Sequence, residues 1–225
     1  MEKLTFAKIS LADLKRLVTL QEGIIASHPW TQIDSITLTD NEQRQVQDLK
    51  SRLSNCDTHL MNEATIWARA IYPLLSLAEQ GSIQAWAEVP LQAQYAQFEI
   101  EGVADGVLGK TVAGRVESPY LIVVEAKKGV ENQNPVFQLY AQLLAGARLN
   151  WENDHQQNQE IFGCYTIADT WKLVRAEIKD IETNLPTMQL EYSKEYTEKY
   201  DAEILLKILK LIVIKVIEKI DSAIK

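Results

Sequence analysis

Pro119-Tyr-Leu-Ile-Val-Val-Glu-Ala-Lys-Lys-Gly129 is the stretch from which the rest of the chain is read. Tyr120 to Val124 is a short apolar run of strong β propensity, bounded by Ser118-Pro119 and Gly129, and predicts an interior strand. Side chains alternate along a strand, so Leu121, Val123, Glu125 and Lys127 share one face and Ile122, Val124 and Ala126 the other. A carboxylate and an ammonium thus lie two residues apart at the end of a strand expected to be buried. Upstream, Gly102-Val-Ala-Asp-Gly-Val-Leu-Gly109 predicts a second short strand with its own acid, Asp105, near the start. Between them Lys110 to Ser118 is polar, contains Gly114 and reads as the loop of a hairpin. In a hairpin the start of one strand faces the end of the next, so Asp105 is expected close to Glu125.

The 225 residues suffice for one domain with a substantial core, and 46% hydrophobic with 24% charged residues is the composition of a soluble globular chain. Cys56 and Cys164 are far apart and in no metal-ligand spacing, which predicts reduced thiols of a cytoplasmic protein. The amino terminus carries no apolar signal segment, and no window has the roughly 18 uncharged apolar residues of a membrane span, so no membrane partner is expected. Net charge is −8, which argues against gripping nucleic acid through a wide basic surface.

Ser10 caps an apolar 3–4 spacing from Leu11 to Leu20, and Thr39-Asp-Asn-Glu42 is a capping box opening a helix to about Leu53 with Val46, Leu49 and Leu53 inward. Leu60 to Glu79 is again helical, with Pro73 expected to kink or split it and Gly81 to end it. Ile83 to Val89 and Tyr95 to Glu101 read as strands. Asn134-Pro135 starts a helix to about Arg148 that places Gln138 and Gln142 on one face. Ile161 to Ile167 and Trp171 to Ile178 form a hairpin around Ala168-Asp169-Thr170, and Thr187 to Tyr192 adds an edge strand. The order predicts an α/β (α+β) fold with a mixed central sheet flanked by helices. Three regions are expected: a helical segment 1–58, a core 59–195 and a carboxy-terminal amphipathic helix 196–225. That helix carries Leu205, Leu209, Ile212, Val216 and Ile220 opposite Glu203, Lys207, Lys210, Glu218 and Asp221. Its broad apolar face either packs on the core or forms a homodimer contact.

Two acids and a lysine converging at one end of a sheet suit phosphodiester hydrolysis. Mg²⁺ (or Mn²⁺) takes oxygen ligands and needs only one or two protein carboxylates, here Asp105 and Glu125. Lys127 would stand where the attacking water sits. Lys127-Lys128, Lys110 and Arg115 are expected to form a local basic rim beside the acids.

The order Gly-x-x-Asp, apolar strand ending Glu-x-Lys, then a helix bearing Gln resembles the PD-(D/E)xK nuclease superfamily. It looks most like the branch with type I restriction motor-subunit nuclease domains and RecB-type nucleases. The matching run is Glu99 to Ala147, with Asn62-Glu63-Ala64 and Ile71-Tyr-Pro-Leu-Leu75 resembling that branch's first helix. The resemblance implies a restriction-endonuclease-like fold and a metal-dependent nuclease acting on DNA rather than RNA. It implies Asp105, Glu125 and the Ala126 carbonyl as metal ligands, Lys127 as the catalytic lysine, Glu63 as the completing acid and Gln138 as the glutamine of the following helix. Ala104 stands where the family's name has proline, and Gln142 where RecB-like members have tyrosine, so Gln138 and Gln142 stay open alternatives. Glu79 and Glu88 rival Glu63. The competing reading is a non-catalytic nucleic-acid-binding or protein-interaction module on the same fold.

Overall fold

The computed structural model describes residues 1–23, 28–128 and 135–224. In chain order the regular elements are β1 (Glu2–Thr5), α1 (Leu11–Leu17), β2 (Thr19–Glu22), α2 (Asp40–Ser54), α3 (Glu63–Ile66), α4 (Tyr72–Leu77), β3 (Ile83–Gln94), β4 (Phe98–Val112), β5 (Arg115–Lys127), α5 (Pro135–Asp154), β6 (Gln159–Ile167), β7 (Thr170–Lys179), β8 (Thr187–Thr197) and α6 (Glu198–Ile224). The strands form one eight-stranded mixed sheet in the order β1-β4-β5-β6-β7-β8-β2, with β3 on β4. One face carries α2, the α3–α4 segment and α6, which bury Val46, Leu49, Leu53, Ile66, Leu74, Leu205 and Leu209 against Ile122, Val124 and Ala126. The other carries α1 and α5, packed on Val107, Val123, Ile161 and Val174. Residues from all three sequence regions share the first of these cores, Trp30 and Leu38 lying in it with Leu121 and Ile212.

Both expected caps form. Ser10 and Asp13 make a reciprocal capping box on α1, as Thr39 and Glu42 do on α2. Helix α1 is shorter than its apolar spacing suggests, because Val18 leaves it in extended backbone and Thr19–Glu22 joins the sheet parallel to β8. That pairing makes β8 an inner strand rather than an edge. The helix expected over Leu60–Glu79 is divided by a π-helical turn over Trp67–Ile71, and Pro73 sits harmlessly in the first turn of α4. Helix α5 runs six residues beyond the expected Arg148, to Asp154, its polar Asn150 being buried, where its side chain bonds both backbone groups of Tyr120. Its expected cap Asn134, like Gly129, lies outside the described residues.

The largest departure concerns β4, a single fifteen-residue strand where two short ones are expected. The glycines that suggest breaks are packing positions instead. A Cβ on Gly102 would lie 2.5 Å from Phe6, on Gly106 2.1 Å from Trp67 and on Gly109 2.9 Å from Val116. The turn into β5 is the tight pair Ala113-Gly114, both in left-handed backbone, with Val112 opposite Arg115.

Helix α6 packs on its own chain: Ala202, Leu205, Leu206, Ile208, Leu209, Leu211, Ile212 and Val213 are all buried, and Lys210 pairs with Glu42 of α2. Ile220 and Asp221 lie outside the residues whose side chains are described. No described helix is long and apolar enough to cross a membrane. The start of α6 is pinned to the β6–β7 turn. The Glu198 amide donates to the Asp169 carbonyl (2.7 Å), Trp171 Nε1 to Glu198 Oε2 (2.7 Å) and Thr58 Oγ1 to Asp169 Oδ1 (2.7 Å).

Burial, reinforced by the Asp169 charge and opposed by the Trp171 bond, pushes the Glu198 carboxyl up to about 8 from its ordinary 4.5. A carboxyl raised on folding binds its proton more tightly in the folded state. The contribution is therefore complete below pH 4.5 and lost as pH rises through about 8. Glu198→Gln keeps a neutral side chain that accepts from Trp171. Urea unfolding at pH 5, 7 and 9 should show wild type losing stability relative to this variant by on the order of 1 kcal/mol per pH unit within that window.

Candidate functional site

The site lies where the pairing of β4 with β5 stops. Their register runs from Val112↔Arg115 to Gly106↔Val124, while β1 takes the same edge of β4 only from Phe98 to Glu101. Residues 102–105 are left between the two partners. Beyond the last pair the Ala126 amide has no β4 carbonyl opposite it, and the Asp105 carboxylate takes its place: Ala126 N donates to Asp105 Oδ2 at 2.6 Å. Asp105 and Glu125 are thus adjacent, as the hairpin predicts.

The two acids have different surroundings. Asp105 is half-buried and opens on a cleft of about 220 Å³ lined also by Glu63, Ala64, Trp67, Ala87, Glu88 and Ala126. Glu125 is 2% exposed and lies behind it. Its Oε1 meets Lys127 Nζ at 2.8 Å, and its Oε2 accepts from Gln142 Nε2 of α5 at 2.5 Å. Burial, and then the Glu125 charge, pushes Asp105 up to about 6, although the Ala126 amide and Lys127 pull the other way. Burial likewise raises Glu125 against the pull of Lys127 and Gln142. For Lys127, burial favours the neutral amine, but the bond to Glu125, with Asp105 and Glu63 behind it, outweighs this and holds the ammonium.

The other expected site residues sort by position. Glu63, in the first turn of α3 behind the Asn62 cap, comes within 3.9 Å of Lys127 Nζ. Glu88 borders the cleft from β3 with left-handed backbone, φ 52°. Glu79 lies elsewhere, accepting from the Ala85 amide. Gln142, fully buried, is the glutamine that reaches Glu125, and its Oε1 has no hydrogen-bond partner. Gln138 lies one turn away on the same helix, half-buried. Lys110 and Arg115 do not join a basic rim here. In a continuous strand Lys110 is five residues, roughly 17 Å, from Asp105, and Arg115 lies beyond the hairpin tip. Trp67 also lines the cleft and nothing in the sequence singles it out, because the π turn that begins there has no residue signature.

No family model matches the chain. A search of curated proteins finds no match either.

The donor set suits a hard divalent cation. A half-buried and a buried carboxylate, both raised by desolvation and Asp105 by its neighbour's charge as well, are relieved by added positive charge, and Mg²⁺ needs only one or two carboxylates from a protein. Among the described residues no three His, Cys, Asp or Glu side chains surround one ion position. Asp105 and Glu125, with the backbone of Ala126 at the cleft, are the groups available to hold such an ion.

Gln142 and Gln138 separate by role in a stability measurement. Gln142→Leu leaves a buried Glu125 oxygen unpaired and should cost roughly 1–3 kcal/mol. Gln138→Leu, at a half-buried position, should stay within about 0.5 kcal/mol. Urea titration of the two purified variants checks this, and equal losses would remove Gln142 as the group holding Glu125.

Proposed function

We propose that the protein is a Mg²⁺-dependent nuclease of the PD-(D/E)xK type, on a restriction-endonuclease-like fold, hydrolysing phosphodiester bonds of DNA. The observation that supports this reading is the Asp105–Glu125–Lys127 group at the strand end, with Gln142 behind it and an open cleft in front. A divalent ion held by Asp105, Glu125 and the Ala126 carbonyl would supply Lewis-acid stabilisation of the phosphoryl oxygens.

The chain's own groups do the rest. Lys127 stays protonated against Glu125 and offers ammonium protons to orient the attacking water and offset charge on the phosphate. Gln142 fixes the Glu125 carboxylate by its amide, and the Ala126 amide fixes Asp105, so neither acid must reorganise during the reaction. Glu63, reaching Lys127 from α3, completes the acids around the amine.

A second reading, a binding or interaction module that keeps this arrangement without cleaving, is favoured by Glu125 itself. Both its oxygens are already engaged, by Lys127 and Gln142, and a buried neutralised pair serves as structure alone. Calorimetric titration with Mn²⁺ separates the two: the nuclease reading expects binding in wild type that Asp105→Asn removes, the module reading expects none. Asp105→Asn should lower Mg²⁺-dependent cleavage of DNA by roughly 10²- to 10⁴-fold while circular dichroism and melting stay near wild type, and Lys127→Ala should lower cleavage as far while also lowering the melting temperature, because it leaves the buried Glu125 Oε1 without its ammonium. Undiminished cleavage by either folded variant defeats the assignment.

A further inference from the structure

We infer that Trp67 is a stacking platform for an unpaired nucleobase beside the scissile phosphate, so that the substrate class is single-stranded DNA; this rests on the nuclease reading above. Glu63 and Trp67 lie one helical turn apart and both line the cleft, while Ile66, Ala70, Ile71, Leu74 and Leu75 are buried beneath them. The π turn that begins at Trp67 adds a residue to this helix, the Tyr72 amide donating to the Trp67 carbonyl. Such turns recur at functional sites because they re-aim a side chain at little cost to the flanking helix.

The indole is held from two sides. Its benzo edge rests on Gly106, the residue after Asp105: a Cβ there would lie 2.1 Å from Cη2 and 3.0 Å from Cζ2. The Tyr72 ring stands 5.9 Å away, tilted by 48°. A half-buried aromatic ring that lines the cleft beside Asp105 offers apolar surface to whatever the cleft holds.

Size and charge favour one unpaired base over a duplex. The cleft, about 220 Å³, is below the roughly 300–1,000 Å³ typical of drug-sized ligand sites, a size nearer to one base than to a base pair. Duplex binding draws its affinity from many Lys and Arg contacts to phosphate. Here the net charge is −8, Lys127 is engaged by Glu125, and Lys110 and Arg115 lie at the far end of the hairpin. Stacking supplies affinity that charge does not, and every base presents a face to it.

The test uses fluorescence anisotropy in EDTA with a short labelled single-stranded oligonucleotide, its duplex, and the single strand with abasic nucleotides, alongside cleavage assays in Mg²⁺. Wild type should favour the single strand. Trp67→Leu should weaken single-strand binding roughly 5- to 100-fold, and Trp67→Phe should restore most of it. The abasic strand should lose the same factor against wild type but nothing further against Trp67→Leu, a coupling that a merely destabilised variant does not produce. Wild type that cleaves DNA yet binds abasic and intact strands equally overturns the stacking role and leaves the nuclease reading standing. Wild type that neither binds nor cleaves DNA overturns both.

Discussion

Strand β4 is longer than any one partner on its β5 side, and the site exists because of what happens where one partner gives way to another. Strand β1 runs parallel along its first residues and β5 antiparallel along its second half, leaving residues 102–105 without a ladder on that side. Backbone amides inside a protein must find acceptors, and the Ala126 amide is the first that the ladder no longer serves. A carboxylate at position 105 meets that need from the side chain. The same bond that ends the pairing cleanly therefore sets an acid, held at fixed geometry, on the lip of a cleft.

Behind it Glu125 faces a different balance. A carboxylate this deeply buried is tolerated only with close donors, and it has two, the Lys127 ammonium and the Gln142 amide. Each arrives from a predictable direction: Lys127 from the same strand two residues on, Gln142 from the helix that returns the chain to β6. The βαβ unit made by β5, α5 and β6 thus packs the sheet and also supplies both donors to Glu125. Trp67 and Glu63 enter from the opposite layer, so the cleft is bounded by that helical layer and by β3, β4 and β5 of the sheet.

Much of this was legible from residues alone, where the signal is local. The run Tyr120–Val124 has no reading but an interior strand, and the Thr39–Glu42 box opens α2 where reciprocal hydrogen bonds require. The nearness of Asp105 and Glu125 follows from hairpin geometry. What stayed hidden depends on distant packing. Gly102, Gly106 and Gly109 look like breaks, yet each makes room for Phe6, Trp67 or Val116, partners that no local pattern reveals. Gln138 and Gln142 share a face and differ only in depth along the helix axis, about one turn. The π turn and the parallel pairing of β2 leave no mark in composition.

Strand β2 has a consequence for how the molecule comes into being. Thr19 to Glu22 pair with Thr187 to Leu190, and Glu2 to Thr5 with Phe98 to Glu101, so both segments wait for partners that lie far later in the chain. Contacts of such long range form slowly, since closing a large loop precedes any reward. Until then the outer border of β8 stays open, a row of free amides and carbonyls able to recruit another chain. With β2 in place the sheet ends on a strand of 4 residues where β8 alone would offer 11, which shortens the margin open to another chain.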